Sequence, residues 1–246
     1  MFSSQGPQAS SVPPSSANSS DDLDSLRLGA AAADGVIHLA FGQNLSDFAA
    51  ALTTDLRAVQ TIGAALEGTG KPFVTTAHIN GEASDNAVLA LAGVRSSVVS
   101  LVPAVHGEGD KGGFMPRLIT IARAKGVSAY IGDGSNRWPA VHRLDAARLF
   151  RLALEVAPAG SRFQGVGDEG VPFRDIAGVI GRHLNLPVVS ISREEADAHF
   201  GSFIGAVAAL DAPRSRSAQT QELLGWRPVH LALIPGPRTA LLQQLM

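Results

Sequence analysis

The chain has 246 residues, 45% of them apolar, which is enough for one α/β domain or two small ones with a sizeable core and excludes a wholly disordered chain. Twenty basic and 22 acidic residues give a formal charge of -2, so there is no broad cationic surface for nucleic acid or an anionic membrane. The absence of cysteine excludes disulfides, thiolate metal sites and cysteine nucleophiles, and it favours a cytoplasmic location.

The first twenty residues differ in composition from the rest. MFSSQGPQASSVPPSSANSS contains eight Ser and three Pro and has no charged side chain, which predicts a disordered tail over 1–20. It lacks the basic start and apolar stretch of a secretory signal. Apolar runs elsewhere are far shorter than the ~20 residues that span a bilayer, so we expect a soluble protein.

Residues 21–105 alternate between helical periodicity and short apolar runs of the buried-strand type. The predicted elements are a helix over 21–33, a strand over 36–41, a helix capped by Ser46 and ended by Gly68, a strand over 72–77, a helix over 85–92 and a strand over 95–102. This order predicts a parallel sheet with crossover helices.

Beyond Pro103, Gly-rich loops alternate with helices and short strands. We predict a loop over 106–113, a helix over 115–125, a strand over 128–134 running into a tight turn at the two Gly beside Asp133, a helix capped by Asp145, a helix opened by Pro172, a strand over 188–191 and a capping box of Ser192 and Glu195. The character of the chain therefore changes beyond Pro103.

Five motifs in fixed order connect these segments. They are VIHLAF at 36–41, FVTTA at 73–77, VVSLVPAVHGEGD at 98–110, GDGSNRWPAVHRLDAAR at 132–148 and LLGWRP at 223–228. Over roughly 21–230 the chain resembles the NAD-dependent epimerase/dehydratase branch of the extended or atypical short-chain dehydrogenase/reductases. The resemblance implies an α/β fold: a truncated Rossmann-like parallel sheet with crossover helices over 21–105, then a smaller C-terminal α+β substrate lobe over 106–246, with some segments returning to the sheet.

The resemblance also implies roles for individual residues, with NAD or NADP as cofactor and a small molecule as substrate. The implied cofactor-binding residues are Leu39, Ala40, Thr75, Pro103, Val105 and His106. The implied substrate-binding residues are Arg137, Trp138 and His142, and Thr76 is the candidate catalytic residue. No metal is expected, because the spacings of His78, His106 and His142 match no metal-binding motif.

Several of these residues also suit a structural role. Thr75 and Thr76 have good strand propensity, and Trp138 suits the packed interface of a lobe. His38, which alternates with apolar neighbours, suits a hydrogen-bonded place in the core. Arg137, beside a Gly turn, is better suited to bind phosphate or carboxylate groups.

Two expected features of the family are missing from this sequence. There is no GxxGxxG turn, and the match begins at Asp21, so we expect a chain or gene model that lacks the nucleotide-binding start. The single tyrosine, Tyr130, has Gly134 rather than Lys four residues later. Two hypotheses therefore remain: an NAD(P)-dependent oxidoreductase acting on a small hydroxyl- or carbonyl-bearing metabolite, or a catalytically inactive relative that serves as a binding or interaction module. A sheet without its first strands also predicts an exposed edge, covered by a second copy or another partner.

Overall fold

The computed structural model describes residues 22–42, 47–212 and 217–234. The helices are α1 (Leu23–Ala32), α2 (Phe48–Leu66), α3 (Glu82–Leu89), α4 (Phe114–Lys125), α5 (Arg143–Val156), α6 (Phe173–Leu184), α7 (Ala196–Phe200), α8 (Ser202–Ala208) and α9 (Ala218–Leu224). The strands are β1 (Val36–His38), β2 (Pro72–Thr76), β3 (Arg95–Leu101), β4 (Ala104–His106), β5 (Ser128–Ile131), β6 (Arg137–His142), β7 (Ser161–Gly165), β8 (Asp168–Pro172) and β9 (Val188–Ile191).

A parallel sheet with strand order β1-β2-β3-β7 organises the first part of the chain. The helices α2 and α3 connect its neighbouring strands, which confirms the predicted α/β fold with crossover helices. The buried stripe of α2, including Val59, Ile62 and Leu66, packs in the same cluster as Phe73 of β2 and Val98 of β3. Burial of each such side chain stabilises the fold by roughly 1.5–3 kcal/mol.

Two smaller sheets follow, one with the order β4-β6-β8 and one in which β5 pairs with β9. A second core surrounds the fully buried Trp138, together with Met115 of α4, Phe173 of α6 and Phe200 of α7. These elements form an α+β unit beside the parallel sheet. The strand β7 pairs in parallel with β3, so the chain returns to the first sheet after residue 160.

The largest differences from the predicted boundaries in the first part concern β1 and α3. The strand predicted over 36–41 ends at His38, because β1 is paired along only three residues of β2 and Leu39 is already 55% exposed. The helix predicted from Asp85 begins at Glu82, after a turn closed by the Gly81 amide and the His78 carbonyl. The predicted tail over 1–20 and the predicted cap at Ser46 lie outside the described residues.

The role of Asp145 as a helix cap is wrong. The helix α5 begins at Arg143, and its cap is His142, whose Nδ1 accepts a hydrogen bond from the Leu144 amide at 3.3 Å. Asp145 therefore lies in the first turn, fully buried. By contrast, the predicted capping box is confirmed, because Ser192 and Glu195 exchange hydrogen bonds between side chain and backbone.

Candidate functional site

A cavity of about 440 Å³ lies beyond the carboxyl ends of β1, β2 and β3. One wall consists of the end of β3 and the residues that follow the three strands, at 41–42, 77–79 and 101–103. The other wall comes from the start of α4, from α8 and from the segment after it: Gly112, Gly113, Phe114, Arg117, Phe203, Leu210 and Ala212. Open α/β sheets bind ligands at this end of their strands, and the volume is typical of small-molecule sites.

The cavity is lined mainly by carbon, and four phenylalanine rings form much of it. The ring centroids of Phe48 and Phe203 are 5.1 Å apart, and those of Phe41 and Phe48 are 5.4 Å apart. Phe114 stacks on Phe203 at 6.2 Å. Such walls favour a flat or alicyclic ring over a strongly hydrated group.

His78 brings a titratable group into this wall. Its imidazole stacks on the Phe41 ring with centroids 3.9 Å apart. Its Nε2 is buried without a hydrogen-bond partner and lies 3.8 Å from Oδ1 of Asp55. Burial lowers the pKa of His78 below its usual value and outweighs the Asp55 carboxylate, which raises it. The ring is therefore neutral at pH 7.

Asp55 is a buried carboxylate on the inner face of α2. Its Oδ1 accepts a hydrogen bond from Nε2 of His38 at 2.9 Å, and its Oδ2 accepts one from the Ser84 hydroxyl at 2.6 Å. Burial raises the pKa of Asp55, but the hydrogen bonds from His38 and Ser84 outweigh burial and hold that pKa below its usual value. A negative charge therefore lies behind His78, at the junction of β1, α2 and α3. His38 is thus a hydrogen-bonded core residue, as its alternation with apolar neighbours predicted.

Three imidazoles form a second cluster around Asp145. His142 stacks on His230 at 4.6 Å and meets the ring of His106 edge-on at 5.4 Å. Asp145 accepts hydrogen bonds from the amides of Val229 and His230 and from the His230 ring. Burial, aided by His142, lowers the pKa of His106 to about 4. Within 22–42, 47–212 and 217–234, no group of three or more His, Asp or Glu is placed to hold a metal ion.

The predicted cofactor-binding residues divide between these two places. Pro103 lines the cavity, and the exposed Leu39 and Ala40 lie immediately before its Phe41 wall. Val105 and His106 lie instead on β4, where they pair with Val141 and His142 of β6.

The two threonines lie near the cavity on β2. Thr75 is buried between His38 of β1 and Val98 of β3. Thr76 is half-buried and directly precedes Ala77 in the cavity wall. The structure therefore brings Thr76, Pro103 and the end of β1 to the same edge of the sheet.

The predicted substrate-binding residues do not converge on one cleft. Trp138 is 0% exposed and packs edge-on against Phe114 and Phe173, so it faces the core and not a cleft. Arg137 is exposed at the start of β6, where its guanidinium donates to the Gly170 carbonyl at 3.0 Å. His142 belongs to the imidazole cluster.

Sequence reasoning missed His78, Asp55 and Arg117 as site residues. His78 follows a parallel strand at its carboxyl end, which is a usable signal. Asp55 stands four residues after Ala51 and three before Ala58, on the buried face of α2, and an acid at such a position indicates a buried partner.

Two fungal proteins show to which family the chain belongs. It is 44% identical over 238 residues to an uncharacterized protein of Schizosaccharomyces pombe, which covers 87% of this chain and 79% of that protein. It is 41% identical over 243 residues to an uncharacterized protein of Saccharomyces cerevisiae. That alignment covers 88% of this chain and 80% of the yeast protein. The chain belongs to the family of these two proteins. No protein-family model matches it.

Solved structures show that this chain has the fold of NAD-dependent epimerases and dehydratases. A dTDP-glucose 4,6-dehydratase of Streptomyces venezuelae, with NAD and TYD bound, aligns with a TM-score of 0.66 at 17% identity, over 86% of this chain and 73% of the enzyme. The ADP-L-glycero-D-manno-heptose-6-epimerase of Helicobacter pylori aligns with a TM-score of 0.67 at 13% identity, over 93% and 76%. A UDP-glucose 4-epimerase of Thermotoga maritima aligns with a TM-score of 0.64 at 16% identity, over 87% of this chain and 78% of the enzyme.

In the part of the chain that the structure describes, no helix is both long and apolar enough to cross a membrane.

The described residues fit one end of a nicotinamide dinucleotide better than the other. The aromatic cavity suits a nicotinamide ring. A diphosphate favours a helix N-terminus free of negative charge. Carboxylates occupy those starts here: Asp47 caps α2, Glu82 lies in the first turn of α3, and Asp110 accepts from the amides of Gly112 and Gly113 before α4.

Proposed function

We propose that the protein is an NAD(P)-dependent oxidoreductase of the epimerase and dehydratase type that acts on a small hydroxyl- or carbonyl-bearing metabolite. The observation that carries the proposal is the position of the aromatic cavity at the carboxyl ends of three parallel strands, in the fold of NAD-dependent enzymes. A bound nicotinamide cofactor would supply the electron acceptor or donor.

The chain's own residues supply positioning and exclusion of water. Phe41, Phe114 and Phe203 would hold a ring between them, and Pro103 with 77–79 would close the sheet side. The single tyrosine, Tyr130 on β5, packs against Gly134 and does not line the cavity. Proton transfer therefore falls to another group.

A catalytically inactive binding protein is the second candidate. The carboxylates at the starts of α2, α3 and α4 favour it, because they disfavour the negative charge of a dinucleotide. In both candidates the cavity holds a small ligand. Only the enzyme would also bind a nicotinamide cofactor, NAD or NADP.

Binding of the cofactor distinguishes the two. We would measure thermal unfolding and calorimetric binding with NAD, NADH, NADP and NADPH at millimolar concentration. The enzyme proposal expects a saturable rise of several degrees in Tm with at least one of them. No rise with any of the four, together with binding of a small ring compound, would favour the inactive relative.

Other expectations stay predictions. Among the described strands β1 pairs only with β2, so the proposed covering of its other edge by a second copy or another partner still requires a measurement of oligomeric state. The cytoplasmic location and the domain boundary between residues 105 and 106 are likewise predictions.

A further inference from the structure

We propose that the cavity selects a neutral ring compound bearing one hydroxyl or carbonyl group, and that His78 is the hydrogen-bond and proton partner of that oxygen. This rests on the proposed function and narrows its substrate class. It also assigns the proton-transfer role that Tyr130 does not fill.

The walls determine the class of ring. Four phenylalanines and the aliphatic side chains of 101–103 and Leu210 face the cavity, so a bound ligand exchanges water for carbon over most of its surface. A sugar would bury several hydroxyls here without partners, and each unpaired group costs about 1–3 kcal/mol. A carbocyclic or aromatic ring carries no such cost.

The charges around the cavity oppose a strongly anionic group inside it. Among the described lining residues the ionisable side chains are His78 and Arg117, and the Arg117 Nε already donates to the Gly112 carbonyl at 3.2 Å. The carboxylates of Asp47 and Asp110 lie at the starts of the helices α2 and α4, which approach the cavity. A neutral ligand suits this balance better than a phosphate ester.

The surroundings of His78 orient its ring. Nε2 is buried and faces Asp55 at 3.8 Å, so the carboxylate favours the tautomer that carries its proton on Nε2. The other nitrogen, Nδ1, then holds a lone pair, and His78 lines the cavity. Phe41, stacked on the ring, limits its rotation.

This arrangement accounts for one proton transfer. The O–H bond of the ligand breaks, the proton goes to Nδ1, and the electron pair stays on the ligand oxygen. Asp55 would stabilise the resulting imidazolium and acts as a positioning residue, itself held by His38 and Ser84. The reverse step returns the proton from Nδ1 to the oxygen.

The test uses the full chain and four probes: benzyl alcohol, benzaldehyde, toluene and glucose, each titrated by NMR chemical shift. Benzyl alcohol should bind and glucose should not. His78→Phe keeps a ring on Phe41 but removes both nitrogens. It should therefore weaken the affinity for benzyl alcohol about three- to tenfold and leave the affinity for toluene unchanged. The exposed His183→Gln is the matched control and should change neither.

A pH series separates a proton partner from a steric one. Benzaldehyde can only accept a hydrogen bond, so its affinity should rise as His78 gains a proton below pH 6.5 and should stay flat in His78→Gln. The charged or titratable groups that act on His78 are Asp55 on α2, His38 on β1 and Asp85 on α3, with Arg117 across the cavity on α4.

Three results would overturn the proposal. Glucose could bind as tightly as benzyl alcohol, His78→Phe could lose equal affinity for toluene and benzyl alcohol, or the affinity of the wild type for benzaldehyde could be independent of pH. NADH titrated into the same samples keeps the outcomes apart. If the ring probes bind but NADH does not, this ligand site stands and the oxidoreductase proposal fails.

Discussion

Nε2 of His38 lies 2.9 Å from Oδ1 of Asp55, and both side chains are buried. The hydrogen bond ties the strand β1 to the crossover helix α2, directly behind the wall that carries His78. Asp55 also accepts from Ser84 of α3, so one carboxylate connects three elements of the site.

Removal of this carboxylate should destabilise the fold. Asp55→Ala leaves the His38 Nε2–H and the Ser84 hydroxyl buried without an acceptor, and we expect a loss of about 3 kcal/mol in the free energy of unfolding. Ser84→Ala removes one donor only and should cost about 1 kcal/mol. Urea unfolding measures both, with the exposed Asp175→Asn as a control expected within ~0.5 kcal/mol of wild type. A cost below that of Ser84→Ala would contradict the role given to Asp55.

His106 should make stability depend on pH in a defined window. Its pKa falls from about 6.5 in the unfolded chain to about 4 in the fold, mainly because it is buried. Its contribution is fully present above pH 6.5, declines as pH falls, and is lost once pH passes through the folded pKa near 4, in total about 3 kcal/mol. Unfolding free energies measured from pH 4 to 7.5 should therefore slope less steeply in His106→Gln. The control His183→Gln should keep the wild-type slope, and equal slopes in all three proteins would refute the assignment.

Asp145 should hold the segment 226–230 on α5. It accepts from the amides of Val229 and His230, while its own carbonyl accepts the indole N–H of Trp226 at 2.9 Å. Asp145→Ala should cost about 3 kcal/mol and expose Trp226. The emission maximum, recorded in a Trp138→Phe background so that Trp226 alone reports, should shift to the red. An unchanged maximum would show that the segment stays docked without the carboxylate.

The Gly132–Asp133–Gly134 turn offers a matched pair of substitutions. Both glycines have positive φ, near +59° and +64°, so alanine at either position is strained by roughly 1–2 kcal/mol. A Cβ at Gly132 meets open space, whereas at Gly134 it would lie 2.5 Å from Cβ of Arg174 and 2.7 Å from the Tyr130 ring. Gly134→Ala should therefore destabilise the protein clearly more than Gly132→Ala. Equal losses in urea unfolding would mean that contacts around Gly134 relax freely.

The fold was more predictable than the site because periodicity and motif order report backbone path. The motif VIHLAF located β1 and FVTTA located β2, and turn chemistry located the GDG turn. For Trp138 two interpretations stayed open, because its motif position does not reveal which way the side chain points; in the structure it packs against Phe173 in the core. Asp145 was wrongly predicted as a helix cap. Its carboxylate oxygens accept hydrogen bonds from the amides of Val229 and His230, more than eighty residues away, and not from the first turn of its own helix. Long-range pairing of this kind leaves no local pattern.

The cavity itself is assembled from segments that the sequence separates widely. Phe41, His78 and Phe203 meet only because the parallel strands end together and α8 packs over them. Of the site residues predicted from the sequence, Pro103 is the one that also lines the cavity.

Energy transfer from tryptophan to NADH or NADPH tests the central claim most directly, because Trp138 lies one ring behind the Phe114 wall of the cavity. Wild type should show saturable quenching of tryptophan emission with at least one of the two cofactors. Ala77→Phe, which fills the cavity, should weaken it at least tenfold, while Ala124→Phe on the exposed face of α4 should not. The absence of saturable quenching with either cofactor, or equal quenching in Ala77→Phe, would contradict an NAD(P) site in this cavity.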